Sequence, residues 1–168
     1  MAKITLKGNP IHTHGNLPQV GTKAPDFTLV DAQLHNHSLK DYQGRRKLLS
    51  IVPSLDTPVC LLSTQKFNEK IKAHPDVAIL VISADLPFAQ KRVCSQEHIA
   101  NIIPLSMMRN KEFAMAYGVM IEDGPLAGIC ARAIVVLDEN DHVLYTELVP
   151  EIAQEPNYDK ALEVLLCF

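Results

Sequence analysis

Two apolar runs limit the fold of this chain more than any other feature: LLSIV at residues 48–52 and VAILVIS at 77–83. A strand with one wet face alternates apolar and polar residues, and neither run does. The second run is also rich in β-branched side chains. Continuous runs of this kind belong to strands covered on both faces, as in sheets flanked by helices. The rest of the pattern supplies the cover. Helices are predicted over about Pro58–Ala73, Pro87–His98, Lys111–Tyr117 and Asn157–Leu166, and a further strand over Asp26–Val30. AIVVLDENDHVLYTEL, 133–148, reads as a hairpin turning at Glu139-Asn140-Asp141, and ITLKGNPIHTHG, 4–15, as another turning at Gly8-Asn9-Pro10. Alternating strands and helices followed by a hairpin and a last helix predict an α/β fold. Its mixed sheet would have helices on both faces, compatible with a thioredoxin-like core carrying an N-terminal hairpin at 1–20.

A length of 168 residues suits one domain spanning 1–168 and is short for two. Hydrophobic residues make up 47% and charged residues 21%, a balance that supports a packed core rather than disorder. The net charge of −3, with no basic stripe, argues against nucleic acid as a partner. The longest apolar runs fall far short of a membrane span, which needs about 20 residues. MAKITLKGNPIHTHG at the start has no apolar core of a secretory signal, so the expected location is the cytoplasm.

Cysteines stand at 60, 94, 130 and 167, with no C-x-x-C pair among them. That removes both the common zinc spacing and the usual dithiol oxidoreductase motif. In a reducing compartment each is either packed and inert or specifically reactive. Cys60 has the more telling address, at the end of PSLDTPVC, 53–60. Thr57 suits a helix N-cap and Pro58 the first helical position, which makes Cys60 the third helical residue. Unpartnered N–H groups and the helix dipole there favour a thiolate. Lowering any cysteine thiol from about 8.5 to about 6 takes roughly 3.4 kcal/mol, and a helix end contributes about 0.3–2. A cation should supply the rest. Arg45, Arg46, Arg92, Arg109 and Arg132 are candidates; Arg132 stands out by interrupting the apolar strand pattern ICARAIVVL. Taken singly, each residue also has a plain structural role: Thr57 a cap, Cys60 a packed side chain, Arg132 a sheet-edge partner for a carboxylate.

Together they carry a resemblance. Pro53-x-x-x-Thr57-x-x-Cys60 is similar to the P-x-x-x-T-x-x-C signature of the peroxiredoxins. KFNE (66–69), ISADLPFAQKRVC (82–94), RNKEFAMAYGV (109–119) and DGPLAGICARAIVVLDEND (123–141) extend it to the thiol peroxidase subfamily, of the atypical 2-Cys type. The resemblance implies a thioredoxin-like enzyme that reduces hydrogen peroxide and organic hydroperoxides. It implies Cys60 as the peroxidatic cysteine and Cys94 as the resolving one, joined as a disulfide during turnover. Thr57 and Arg132 would hold thiolate and peroxide, and Pro53 would shield the pocket. It further implies thioredoxin as reductant, a homodimer, and no metal or organic cofactor, since sulfur carries the electrons. The missing C-x-x-C argues against a general thiol–disulfide oxidoreductase; a redox sensor would use the same two cysteines.

Other residues have weaker claims. His12-x-His14 and His35-x-His37 could each line one strand face. Alternation would point Cys130 and Arg132 to the same face, with Cys130 acting as a small hydrophobe. Cys167, near the C-terminus, reads as an accidental thiol.

Overall fold

The computed structural model describes residues 1–167. Among the described residues nine strands are formed: β1 (Ala2–Leu6), β2 (Asn9–Thr13), β3 (Leu29–Val30), β4 (Asn36–His37), β5 (Lys47–Ile51), β6 (Ala78–Ser83), β7 (Ile103–Ser106), β8 (Ala133–Leu137) and β9 (Val143–Leu148). The helices are α1 (Pro58–Ile71), α2 (Pro87–Gln96), α3 (Glu112–Ala116) and α4 (Tyr158–Leu166), with a 3-10 turn at Leu39–Tyr42.

Seven strands form one mixed sheet in the order β4-β3-β7-β6-β5-β8-β9, while β1 and β2 pair separately as an antiparallel hairpin. β5, β6 and β7 run parallel, joined through α1 and α2; β8 and β9 add antiparallel to β5. Every residue of β5, β6 and β8 is buried, as continuous apolar runs require. Alternation sorts their side chains between two cores. Leu49, Ile51, Leu80, Ile82 and Val135 pack with Phe27, Phe113 and Tyr117 on the side of α3 and the 3-10 turn. Leu48, Ile79, Val81, Ile134 and Val136 pack with Phe67, Val93 and Leu165 from α1, α2 and α4.

The chain departs from the sequence expectations in instructive places. β7 has no counterpart among the predicted strands: it is short and contains Pro104, and its pairing with β6 and β3 makes it a strand. Asp26–Val30 contributes just Leu29 and Val30. The first hairpin turns at Lys7-Gly8, with φ of 50° and 81°, so Asn9 and Pro10 lie in β2. A two-residue turn of this kind needs positive φ at both positions, which proline cannot adopt. Helices end one or two residues earlier than predicted at several termini. The histidines turn to nearby partners: His12 and His14 place Nδ1 2.7 Å from carboxylates of Asp123 and Glu122, and His37 lies between Asp31 and Tyr42. Among the described residues no helix is long and apolar enough to cross a membrane.

Leu80 is fully buried in the central strand, on the α3 side. Leu80→Ala should therefore cost about 2–5 kcal/mol of stability, read as a lower urea midpoint with an unchanged m-value.

Candidate active site

The site lies at the carboxyl ends of the parallel strands, the usual place for ligands in open α/β sheets. Residues 53–57 leave β5 and enter α1, whose first residue is Pro58 and third is Cys60. Thr57 occupies the N-cap position, but its hydroxyl donates to the Ser54 carbonyl at 2.8 Å and makes no capping bond. It braces the loop and leaves the first-turn N–H groups without a side-chain cap. Cys60 is fully buried, and its carbonyl accepts the hydroxyls of Ser63 at 2.9 Å and Thr64 at 2.8 Å. Bonds of this type compete with the backbone ladder and soften a helix.

Arg132 stands just before β8, only 2% exposed. Its Nε and Nη2 both donate to the Ile152 carbonyl, at 3.1 and 2.9 Å. Its Nη1 is buried with no partner among the described residues. Arg132 is among the residues lining a pocket of about 310 Å³, with Pro53, Thr57, Val59, Leu126 and Ile152. Apart from Arg132, Ser54 and Thr57, that wall is made of proline, aliphatic and alanine side chains. The fold thus brings Pro53, Thr57 and Arg132 to one cavity, at the first turn of the helix that carries Cys60. The remaining arginines go elsewhere: Arg109 bonds Asn36 and the Leu34 carbonyl, and Arg45 the Val77 carbonyl. Arg92 lies 3.7 Å from Asp56 on the surface.

Cys94 is in the second half of α2, buried in the same core as Cys60. Both are free thiols. Burial pushes the Cys94 thiol up to about 11. Cys130 is pushed further, to about 12, chiefly by burial; its sulfur lies 3.5 Å from that of Met107. Cys130 belongs to the α3-side core, whereas Arg132 opens onto the pocket, so the two do not share a face. Strict alternation fails because β8 begins only at Ala133; Cys130 makes an isolated bridge to Met120 instead. Cys167 is exposed.

Asp85 was missed by the sequence reading. Its carboxylate accepts the Ser54 hydroxyl at 2.7 Å, the Leu55 N–H at 2.8 Å and the Ser83 hydroxyl at 2.7 Å. Ser83 in turn accepts a bond from Gln90 of α2, at 3.0 Å. One carboxylate therefore fastens the loop before Cys60 to the start of the helix that carries Cys94. KFNE is explained likewise: Lys66 pairs with Glu155 at 2.7 Å, Phe67 packs edge-on against Tyr158, and the Asn68 side chain accepts the N–H groups of Ala100 and Asn101.

Comparison with known proteins identifies the class of protein. The Redoxin family model matches residues 19–162. A thiol peroxidase of Leptospira interrogans is 52% identical over 164 residues, covering 96% of each chain. Among solved structures, a peroxiredoxin-like protein from Aquifex aeolicus superimposes with a TM-score of 0.93 at 40% identity, covering 100% of this chain and 98% of its own. A thiol peroxidase from Chromobacterium violaceum gives 0.91 at 26%, covering 99% and 96%. The chain belongs to the Redoxin family, with the thioredoxin-like fold of that group. Within it, the thiol peroxidase subfamily of the peroxiredoxins is its place, and its activity is that of a peroxiredoxin-type peroxidase.

Two measurements probe the site. Burial favours the protonated Cys94 thiol, so its contribution to stability is complete below the ordinary value of 9.0 and is lost as pH rises through about 11. Alkylation of Cys94 by iodoacetamide should accordingly be slow at pH 8 in the folded, reduced protein and accelerate on unfolding or toward pH 11. Asp85→Asn replaces one acceptor oxygen with a donor facing donors, and should destabilise the fold by about 1–3 kcal/mol. Its amide exchange should quicken first in residues 53–60.

Proposed function

We propose that this peroxidase reduces hydrogen peroxide and organic hydroperoxides through a sulfenic acid on Cys60 and a Cys60–Cys94 disulfide, recycled by thioredoxin. The observation that carries the reading is the buried, unpartnered Nη1 of Arg132, a residue that lines an apolar pocket beside the first turn of α1. A hydroperoxide offers an acceptor oxygen for that donor and, in organic peroxides, an apolar tail for Val59, Leu126 and Ile152.

In this mechanism the Cys60 thiolate attacks one peroxide oxygen. The S–O bond forms as the O–O bond breaks, and the leaving oxygen takes up a proton to depart as water or alcohol. Arg132 would stabilise charge on that oxygen as it develops. Thr57 would hold the loop and present its oxygen toward the reacting atoms, and Pro53 would keep water from the sulfur. Cys94 then condenses with the sulfenic acid, releasing water and leaving the disulfide. A reduced thioredoxin dithiol returns both sulfurs to thiols and is itself oxidised.

The disulfide step requires motion. A disulfide needs its Cα atoms within about 7 Å, and each sulfur is buried in its own helix. Local unwinding of the first turn of α1, of α2, or of both would bring them together. It would also expose Cys94 and bring its raised pKa back toward the ordinary range, making it the better nucleophile. The chain is read as one unit over 1–168, acting as a homodimer in the cytoplasm without metal or organic cofactor.

Mass spectrometry after one equivalent of peroxide should find a Cys60–Cys94 link. Cys60→Ser should abolish peroxide consumption, while Cys94→Ser should permit one oxidation yet lose thioredoxin-driven turnover. Full steady-state activity in Cys94→Ser would remove the resolving role, and repeated turnover by the wild type separates an enzyme from a one-shot sensor.

A further inference from the structure

The N-terminal hairpin is attached where Arg132 is held. The Ile152 carbonyl receives two of the arginine's N–H groups, so the direction of the guanidinium follows the position of that carbonyl. Ile152 lies beyond the end of β9, in the segment that follows Leu148. Its own N–H donates to the Thr5 carbonyl at 2.9 Å, and the Thr5 N–H donates to the Pro150 carbonyl at 2.8 Å. β1 is therefore the partner that fixes the 150–152 backbone, through a parallel bridge between Thr5 and Glu151.

Glu151 locks this contact. Its carboxylate accepts the Thr5 hydroxyl, the Lys7 N–H at 3.0 Å and the Gly8 N–H at 3.2 Å. Those donors, led by the Thr5 hydroxyl, hold the Glu151 carboxyl down to about 2, so it stays ionised across the working range of pH. Apolar packing points the same way. Ile4 and Ile11 share a core with Ile121, Ala131 and Ile152, joined by half-buried Leu126 and Ile129, and the last three line the pocket. A Cβ on Gly124 would come within 2.8 Å of the Ile11 side chain, so glycine there lets the hairpin seat closely.

We propose that Glu151 is a positioning residue: by clamping the N-terminal hairpin to the 150–152 backbone, it sets the Ile152 carbonyl and through it aims the free N–H of Arg132 into the pocket. The hairpin is thus part of the peroxide-binding machinery. This rests on the reading of Arg132 as the peroxide-holding cation and adds the element that aims it.

The test is single-turnover oxidation of reduced full-length protein by cumene hydroperoxide. Glu151→Ala should slow the second-order reaction by about tenfold, the scale expected when a binding group is displaced by a fraction of an ångström. It should raise KM while leaving kcat, set by later steps, within about twofold. Glu151→Gln, which keeps one acceptor oxygen for Thr5 and Gly8 but turns a donor toward the Lys7 N–H, should recover part of the rate. In an Arg132→Ala background, Glu151→Ala should have no further effect. Should Glu151→Ala fold poorly, Thr5→Val removes one donor, keeps the backbone bonds, and should give a smaller loss in the same direction. A wild-type rate in both Glu151→Ala and Thr5→Val, or an equal loss in the presence and absence of Arg132, would overturn the proposal. If Arg132→Ala itself reacts at the wild-type rate, the underlying reading of the arginine fails instead.

Discussion

Strands buried on both faces cannot turn a single backbone or side-chain group to water, and this constraint organises the protein. The peptide groups of β5, β6 and β8 must find their partners in the ladder, and each face must be covered. Parallel pairing of β5, β6 and β7 requires crossovers, and those crossovers are α1 and α2. The two cysteine-bearing helices consequently leave neighbouring strands at the same end of the sheet. Their entry loops then lie close enough for one carboxylate, that of Asp85, to bond to both.

Against that rigid frame the pocket is built from exceptions. A buried guanidinium is costly unless its donors are met. Arg132 has one carbonyl for two of its nitrogens and nothing protein-borne, among the described residues, for the third. An unmet buried donor beside an apolar cavity is where a small acceptor with an apolar tail gains most, because water competes poorly there. The helix beside it is likewise imperfect. Its cap hydroxyl bonds the Ser54 carbonyl instead of a first-turn N–H, and two hydroxyls lean on the Cys60 carbonyl. In the reaction proposed above, a first turn of modest strength serves a sulfur that must react where it is buried and then move to meet Cys94.

The sequence carried much of this. Uninterrupted apolar runs marked β5 and β6 because double burial removes the polar alternation that water imposes. Thr57-Pro58 marked the start of α1 because a missing N–H is harmless only there. Spacing between Pro53, Thr57 and Cys60 is local, and so is the arginine within an apolar strand pattern; both survive as legible signals. The signature also led to the family, since its residues are adjacent or nearly so along the chain.

Tertiary structure alone decided the rest. β7 is a strand because β6 and β3 lie beside it. Cys130 enters the α3-side core while Arg132 lines the pocket, because the backbone is irregular before β8. Most of all, the partner of Arg132 is a main-chain carbonyl, set in place by the hairpin at the opposite end of the chain. Every residue carries such a carbonyl, so no side-chain identity announces it. What the sequence determined is which local segments form and where the candidate site residues sit within them; which backbone groups meet across long loops depends on the folded geometry, where contact replaces pattern.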